Sequence, residues 1–484
     1  MADTIRSPLR LTADPKRLVA RPFIPGSTNF AGSPGRLEGI LRRIMEVPRE
    51  TRRGILGELE TRHSDAFDDL AGIWLQHFAA AQESSDLLNR LNDADLRLFV
   101  GACLTQMYAY EAAAVTNPSM VPIGSPDSRR QRFVLSTRAV GEGHISSIGF
   151  LTGSVGPDAD LVFDPRSTHV SNGVRAAPVY SRDAFRDKLS ELGFLTPSAE
   201  KILDQLGDTF ETTDLDAALR AAVDSDVIGA DLDDATKRVH WLAASNYRLD
   251  FDASHPISEH LISPAAPAES HGLEDARFVR FVDDDGSERY YATYTAYDGV
   301  RILPQLIETQ DFHSFRMATL TGPAVHHKGM ALFPRRVDGE LLALSRHDHE
   351  STFLLRGESF RRWTSAEHIF GPETDWEVIQ TGNCGSPLET EWGWLVITHG
   401  VGPMRRYVLG AVLLDIDEPT KVLGRLPTPW LEPAEDERHG YVPNVVYSCG
   451  SMIHDGILIT PYGYSDVGIG FAITTVESLL ADMV

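Results

Sequence analysis

The sequence predicts a mainly β protein, a five-bladed β-propeller with N-terminal and inserted α-helical segments. Three observations lead there. Strand-and-turn units recur at a period of roughly 40–60 residues, the blade range, without the spacing of parallel βαβ units. Comparable strands end in polar residues, as in STRAVG, TAYDG, LSRHD, ITHG and PYGYSD. Two stretches of helical texture interrupt the β pattern rather than alternate with it. A β-sandwich is the alternative fold that the same hairpins allow.

The elements divide as follows. Residues 1–34 form an N-terminal segment joining the propeller, and 35–116 a helical insertion. Leu37, Ile40, Leu41 and Ile44 lie in a helical stripe there,. Residues 117–180 give the first blade region, around RFVLSTRAVGEGHISSIGFLTG. A second helical insertion covers 181–235, with Ser181 and Thr213 as N-caps and Gly193 as a stop,. Residues 236–484 hold the remaining blades and the candidate centre. RFVRFVDDDGSERYYATYTAYDG is a hairpin on a DDDG turn, and ALFPRRVDGELLALSRHD repeats it on Asp338-Gly339,.

A chain of 484 residues with 42% hydrophobic and 24% charged content can bury a large core,. Its net charge of -24 repels nucleic acid and anionic membrane, so an anionic ligand needs a local cluster of cations,. The three cysteines, Cys103, Cys384 and Cys449, form no CxxC pair, which argues against disulfide scaffolding and structural zinc,. The first residues, MADTIRSPLRLTADPKRL, contain no apolar run of signal-peptide type, and no segment approaches ~20 apolar residues,. These features predict a cytoplasmic protein. Apolar faces on the helical segments predict a homo-oligomer contact.

Strand ends of one kind converge near a propeller's axis. Arg138, Asp298, Arg346, His399 and Asp466 can therefore meet in one pocket, whose acids, Arg and His suit a polyhydroxylated ligand; each can equally be a turn former,. At HGLEDARFVRF two acids precede a strand. Strict alternation sends Glu274 and Asp275 to opposite faces. One of the two then faces the axis; where that is Asp275, Glu274 turns towards Arg277 or a backbone amide.

The chain resembles glycoside hydrolase family 130, the β-mannoside phosphorylases and mannosidases. The resemblance rests on GLEDARFVRF at 272–281, YYATYTAYDG at 290–299, KGMALFPRR at 328–336 and GNCGSPLETEWGWLVITHG at 382–400. YVLGAVLLDIDEPTKVLGR at 407–425 and PYGYSDVGIGFA at 461–472 extend it, and NPSMVP with RFVLSTRAVGEG carries it back to Asn117. It implies a five-bladed propeller that cleaves short β-mannoside oligosaccharides with inversion. It also implies inorganic phosphate or water as the nucleophile, and the residues themselves predict no metal and no cofactor. Asp275 falls on the aspartate of the family's Glu-Asp-Pro-Arg motif, its proton donor, which in the phosphorylases acts through a mannose hydroxyl. Ala276 replaces the motif's proline.

The resemblance places Asn117 and Asp466 on mannose hydroxyls, with Arg138, Tyr297 and Asp298 as further substrate contacts. Arg138 and Lys328 stand where the phosphorylases put basic residues, and Arg346, His399, Arg405 and Arg406 are further phosphate candidates. Glu389 replaces a phosphate-contacting lysine. A carboxylate facing water can act as the base of an inverting hydrolase, so this reversal tips the expectation towards hydrolysis, with Glu389 as base. In the alternative Glu389 neutralises Arg405 or Arg406, and the enzyme is a phosphorylase releasing mannose 1-phosphate. A non-catalytic sugar-binding propeller is the third reading.

Other signals carry less. Trp392, Trp394 and Trp430 fit core packing better than sugar stacking. His326-His327 and His347-Asp348-His349 alternate faces if they lie in strands, which argues against a metal. GEG at 141–143 lacks the context of a dinucleotide loop, and Cys384 has no indicated base.

Overall fold

The computed structural model describes residues 4–25, 36–82, 84–124, 129–224 and 231–484. The expected boundary at 34–35 and part of the second helical insertion, 225–230, lie outside the described residues. The chain forms two compact units: Met1–Ala13 with Ala113–Pro165 and Asn172–Val484, and Asp14–Ala112 with Arg166–Ser171. Strand outweighs helix, so the class is mainly β. No described helix is long and apolar enough to cross a membrane.

The smaller unit is helical. Helices Arg36–Glu46, Arg49–Arg62, Leu70–Gln82 and Ala94–Cys103 pack Leu41, Leu56, Trp74, Phe78 and Val100 into one core. The stripe of Leu37, Leu41 and Ile44 is buried as the periodicity requires,. A hairpin of Leu18–Pro22 and Thr105–Ala109 accompanies them. Glu111, 1% exposed, takes Arg17 and Arg166, which ties the 166–171 segment into this unit.

The larger unit is a succession of antiparallel meanders. Strands Ala114–Ile123, Gln131–Val140 and Ser146–Val155 make the first. Gly272–Val282, Glu288–Tyr297, Ile302–Thr309 and Ser314–Thr319 make the second, joined to the first through one parallel pair, Gly272 with Ser146. The third runs from Ala331–Leu332 to Arg362–Phe370, and the fourth from Gln380–Asn383 to Val422–Arg425. In the last, Val446–Tyr447 and Met452–His454 pair with Ile457–Tyr464, and Ile457–Tyr464 with Gly468–Thr475. Ile5–Arg6 and Leu11–Thr12 add to its outer edge, so both ends of the chain share one sheet.

The cores between meanders follow a cyclic order. Val134 and Phe150 of the first meet Phe278 and Tyr294 of the second. Phe281 and Tyr291 of the second meet Leu341 and Trp363 of the third. Leu344 and Phe370 then meet Trp394 and Val412, and Leu395 and Leu409 meet Val446 and Leu458. Finally Ile459 and Phe471 of the last meet Met120 and Leu135 of the first.

Three of the meanders are preceded by the same device. Short turns at Pro267–Glu269, Asp375–Glu377 and Glu435–Glu437 bury the closing glutamate, which accepts backbone N–H groups at the turn's own start,. Glu269 also takes the hydroxyls of Tyr247 and Tyr294, Glu377 takes Arg425, and Glu437 takes Arg6, Arg10 and Tyr462.

The second helical insertion belongs to the larger unit. Helices Arg182–Glu191, Pro197–Leu203, Thr212–Asp224 and Leu232–Ala244 enclose Phe185, Leu189, Ile202, Leu215 and Val239. Ser181 holds the N-cap position without a side-chain bond, and Gly193 follows the helix at φ 69. Thr213 lies inside its helix rather than at the cap.

Because Glu437 anchors two arginines of the N-terminal segment, Glu437→Ala leaves them without their counter-charge. The expected cost is about 3 kcal/mol in urea unfolding. An unchanged midpoint would show that the N-terminal strand is held by pairing alone.

Candidate active site

The site begins with two irregular strands. In Gly272–Val282 the pairing register shifts between Glu274 and Arg277, and Asp275 takes φ 56. In Ala114–Ile123 it shifts between Thr116 and Ser119, and Asn117 takes φ 47 before Pro118. Each shift is a bulge that turns a side chain out of the alternating pattern. The two turned side chains meet: the Asn117 amide donates to Asp275 Oδ1 at 2.5 Å.

The bulge also overturns the expected separation of the acids. Glu274 does not turn to Arg277 or to a backbone amide; it takes Arg138 Nη2 at 2.8 Å and Lys328 Nζ. Asp275 Oδ1 lies 3.9 Å from Arg138 Nη1, so one guanidinium serves both carboxylates.

Arg277, 2% exposed, reaches inward instead. Its Nε donates to the Cys384 carbonyl at 2.9 Å, Nη2 to the Tyr447 hydroxyl at 2.8 Å, and Nη1 to the Asp275 carbonyl at 3.2 Å. All three acceptors are uncharged, so the full cation stays in the interior. Around it the inner strands close up: Cys449 N donates to Pro118 O, Phe278 N to Ser119 Oγ, and Asn383 Nδ2 to Gly329 O.

These charges set the titrations. Burial pushes the Asp275 carboxyl up, but Arg277, Arg138, Lys328 and the Asn117 amide together hold it below the usual carboxylate value. Asp466, near Thr116 in the turn after Ile457–Tyr464, goes the other way: burial raises it, and Asp275 and Glu274 raise it further against Arg138. The two aspartates are thus pushed apart by their surroundings.

A second group adjoins the first. Arg346 lies against Gly382, where a Cβ would meet its Cδ at 2.3 Å and His399 Cε1 at 3.1 Å. Only glycine admits this packing. His399 is fully buried and held neutral, by burial first and then by Arg346 and Arg277. Its ring stands 5.0 Å from that of Tyr447. Arg346 Nε and His399 Nδ1 are buried without a hydrogen-bond partner among the described residues.

The remaining candidates lie elsewhere or serve their own turns. Asp298 accepts from Val300 N and Arg301 N, and Tyr297 donates to the Gly299 carbonyl. Arg406 pairs with Glu432, and Arg405 sits at φ 56 in an exposed turn. Glu389, on Leu388–Thr390, is bound bidentately by Arg335, whose guanidinium covers the Trp394 ring at 4.9 Å. No hydrogen bond or ion pair joins Glu389 to the Asp275 cluster, Arg405 or Arg406 among the described residues. Its pairing with Arg335 is a local match that neither reading of this position anticipated.

Trp394 is buried and Trp430 half-buried, each with its indole N–H on a carbonyl, and Trp392 is 46% exposed. His326, His327, His347 and His349 are not in strands. His327 and His349 occupy turns at φ 54 and φ 73 with rings 3.4 Å apart, so the argument from alternating faces does not apply to them. Among the described residues these histidines form no group of three metal ligands. Burial pushes the Cys384 thiol up to about 12, far from a nucleophile at neutral pH,.

Sequence reasoning missed Tyr447 and the structural role of Arg277. A signal for the first was present: Asn383-Cys384-Gly385-Ser386 recurs as Ser448-Cys449-Gly450-Ser451, each where a short strand, Gln380–Asn383 or Val446–Tyr447, ends.

Comparison with known proteins fits this arrangement. Residues 249–483 match the glycoside hydrolase 130 profile, described as beta-1,4-mannooligosaccharide phosphorylase. The chain is 32% identical over 230 residues to a 1,2-beta-oligomannan phosphorylase of Thermoanaerobacter sp. (strain X514), covering 46% of this chain and 75% of that protein. It is 30% identical over 209 residues to the beta-1,2-mannobiose phosphorylase of Listeria innocua serovar 6a, covering 42% and 57%. A crystal structure of beta-1,2-mannobiose phosphorylase from Listeria innocua, with beta-1,2-mannobiose, aligns over 76% of this chain and 92% of its own at 18% identity and TM-score 0.45. The chain belongs to glycoside hydrolase family 130, as an enzyme acting on β-mannosides.

Proposed function

We propose that the protein is an inverting phosphorylase of short β-mannosides, releasing mannose 1-phosphate, and that its meanders are the blades of a five-bladed propeller. The cyclic order of the inter-sheet cores supports the blades. The observation that carries the activity is the surplus of cations at Asp275. Arg138, Arg277 and Lys328 all act on its carboxylate, and Arg346 adjoins them, in a chain of net charge -24. Such a surplus suits a phosphate that must shed water to attack. The names of the relatives at 32% and 30% identity support the same reading and direct the first assay to β-1,2-linked substrates.

In this reading Arg138 and Lys328 hold phosphate, shared with Glu274, and Arg346 and neutral His399 extend the cradle. Asn117 and Asp466 hold mannose hydroxyls. A phosphate oxygen attacks the anomeric carbon from the face opposite the leaving oxygen, forming the new C–O bond as the glycosidic bond breaks. Asp275 supplies the proton that the departing oxygen needs, through a mannose hydroxyl as the family resemblance implies. The proton carried in by hydrogen phosphate replaces it, so none is gained or lost overall. Hydrolysis, expected from Glu389 as base, has less support because that carboxylate is engaged by Arg335 on an exposed strand.

The decisive assay incubates β-1,2-mannobiose with and without phosphate. Cleavage should require phosphate and yield mannose 1-phosphate; equal cleavage without it would sink the proposal. Asp275→Asn should lower phosphorolysis by about 10²–10⁴-fold, the usual worth of a general acid. Glu389→Gln should stay within about twofold of the parent rate, as expected for a surface ion pair, and a large loss would return Glu389 to the reaction.

Protonation gives a further test. The cations hold Asp275 low, so its acid form is lost as pH rises through that depressed value, and the rate falls on the alkaline side,. Bound phosphate offsets those cations and lifts Asp275. The alkaline limb of the pH–rate profile should therefore move to higher pH as phosphate approaches saturation; a limb that stays fixed at all phosphate concentrations would contradict the assignment.

A further inference from the structure

The second helical insertion leaves a cavity where its first helix meets the outer strand of the second meander. Lys188, Arg316 and Arg361 line it, with the hydroxyls of Thr319 and Thr321. Lys188 is only 5% exposed, and its Nζ meets Glu191 at 3.1 Å. Glu191 is shared, since its other oxygen accepts from Gly322 N at 2.6 Å.

The two guanidiniums have no such partner. Among the described residues no hydrogen bond or ion pair serves the side chain of Arg316 or of half-buried Arg361. Glu308, the carboxylate that acts on Arg361 and the cross-strand neighbour of Arg316, is taken by Arg289 at 2.7 Å. Burial and the neighbouring charge of Arg316 both disfavour the protonated form of Arg361. Exposed Arg316 and half-buried Arg361 thus bring two guanidiniums without a counter-ion, among the described residues, to the same cavity as the buried Lys188 ammonium, whose carboxylate partner is Glu191.

We propose that this cavity is a second anion site, specific for a phosphoryl group. Two guanidinium forks and an ammonium match the three terminal oxygens of a phosphate or phosphate monoester better than the two of a carboxylate. Phe185 and Met317 give the cavity an apolar wall against which the organic part of a small ester can lie. The site sits at the base of the helical insertion, so its occupant bridges those helices to the second meander.

The test uses the full chain. In crystals soaked with tungstate, a stand-in for phosphate, an anomalous peak is expected among Lys188, Arg316 and Arg361. Calorimetric titration with inorganic phosphate should show one site fewer in R316Q/R361Q than in the parent, while mannoside cleavage is unchanged. The position of the peak separates this site from Asp275, so the result does not depend on whether the enzyme is a phosphorylase. Titration with a hexose 1-phosphate distinguishes the sources: tighter binding than inorganic phosphate identifies an ester site, and equal binding a free-phosphate site. No peak at these residues, or an equal number of phosphate sites in the double variant, overturns the proposal.

Discussion

Arg277 is the residue on which the site's geometry and its electrostatics both depend. Its donors go to the Cys384 carbonyl, the Tyr447 hydroxyl and the Asp275 carbonyl, so one side chain from the second meander fixes the inner strands of the fourth and the last. A buried guanidinium bonded only to neutral groups keeps its whole charge, and the desolvation this costs must be met by something nearby. The nearby counter-charge is the Asp275 carboxylate, held in the bulge two residues before it. The bulge, the central strut and the candidate acid are therefore one constraint rather than three features.

That constraint explains how a strongly acidic protein makes a cationic centre. The field of Arg277 adds to those of Arg138 and Lys328 at Asp275, and to that of Arg346 at His399. Low local dielectric strengthens each of these interactions over what the same pairs would give at the surface. Asp466 escapes the pull because burial, Asp275 and Glu274 raise it and outweigh Arg138, the cation that acts on it, and the Thr116 hydroxyl. Two aspartates of equal intrinsic acidity are thus pushed in opposite directions within one cluster, Asp275 down by the cations and Asp466 up by burial and its acidic neighbours,.

Local pattern made much of this legible. Hairpins on Asp-Gly turns, the buried stripe of Leu37, Leu41 and Ile44, and the polar strand ends at Arg138, Arg346, His399 and Asp466 follow from periodicity and turn chemistry. What escaped was non-local. A bulge is a mismatch between two strands, and nothing within GLEDARFVRF announces that Thr295 will pair with Glu274 and Thr293 with Arg277. Alternation, applied without the bulge, sent the acids to opposite faces. Asp298 shows the other side of local pattern: its sequence context, Tyr-Asp-Gly, is a turn signal, and its Oδ1 accepts the N–H groups of Val300 and Arg301 in that turn.

Glu389 shows how a charge reversal can be answered outside the site. Its strand pairs with Gly393–Val401, placing Glu389 opposite Trp394, whose buried ring has the Arg335 guanidinium over it. The guanidinium lies over the indole and forks onto the carboxylate, so the acid completes a stack between the third and fourth meanders,. A lysine at this position would place a second cation beside Arg335. The residue that answers Glu389 is therefore Arg335, fifty-four positions upstream.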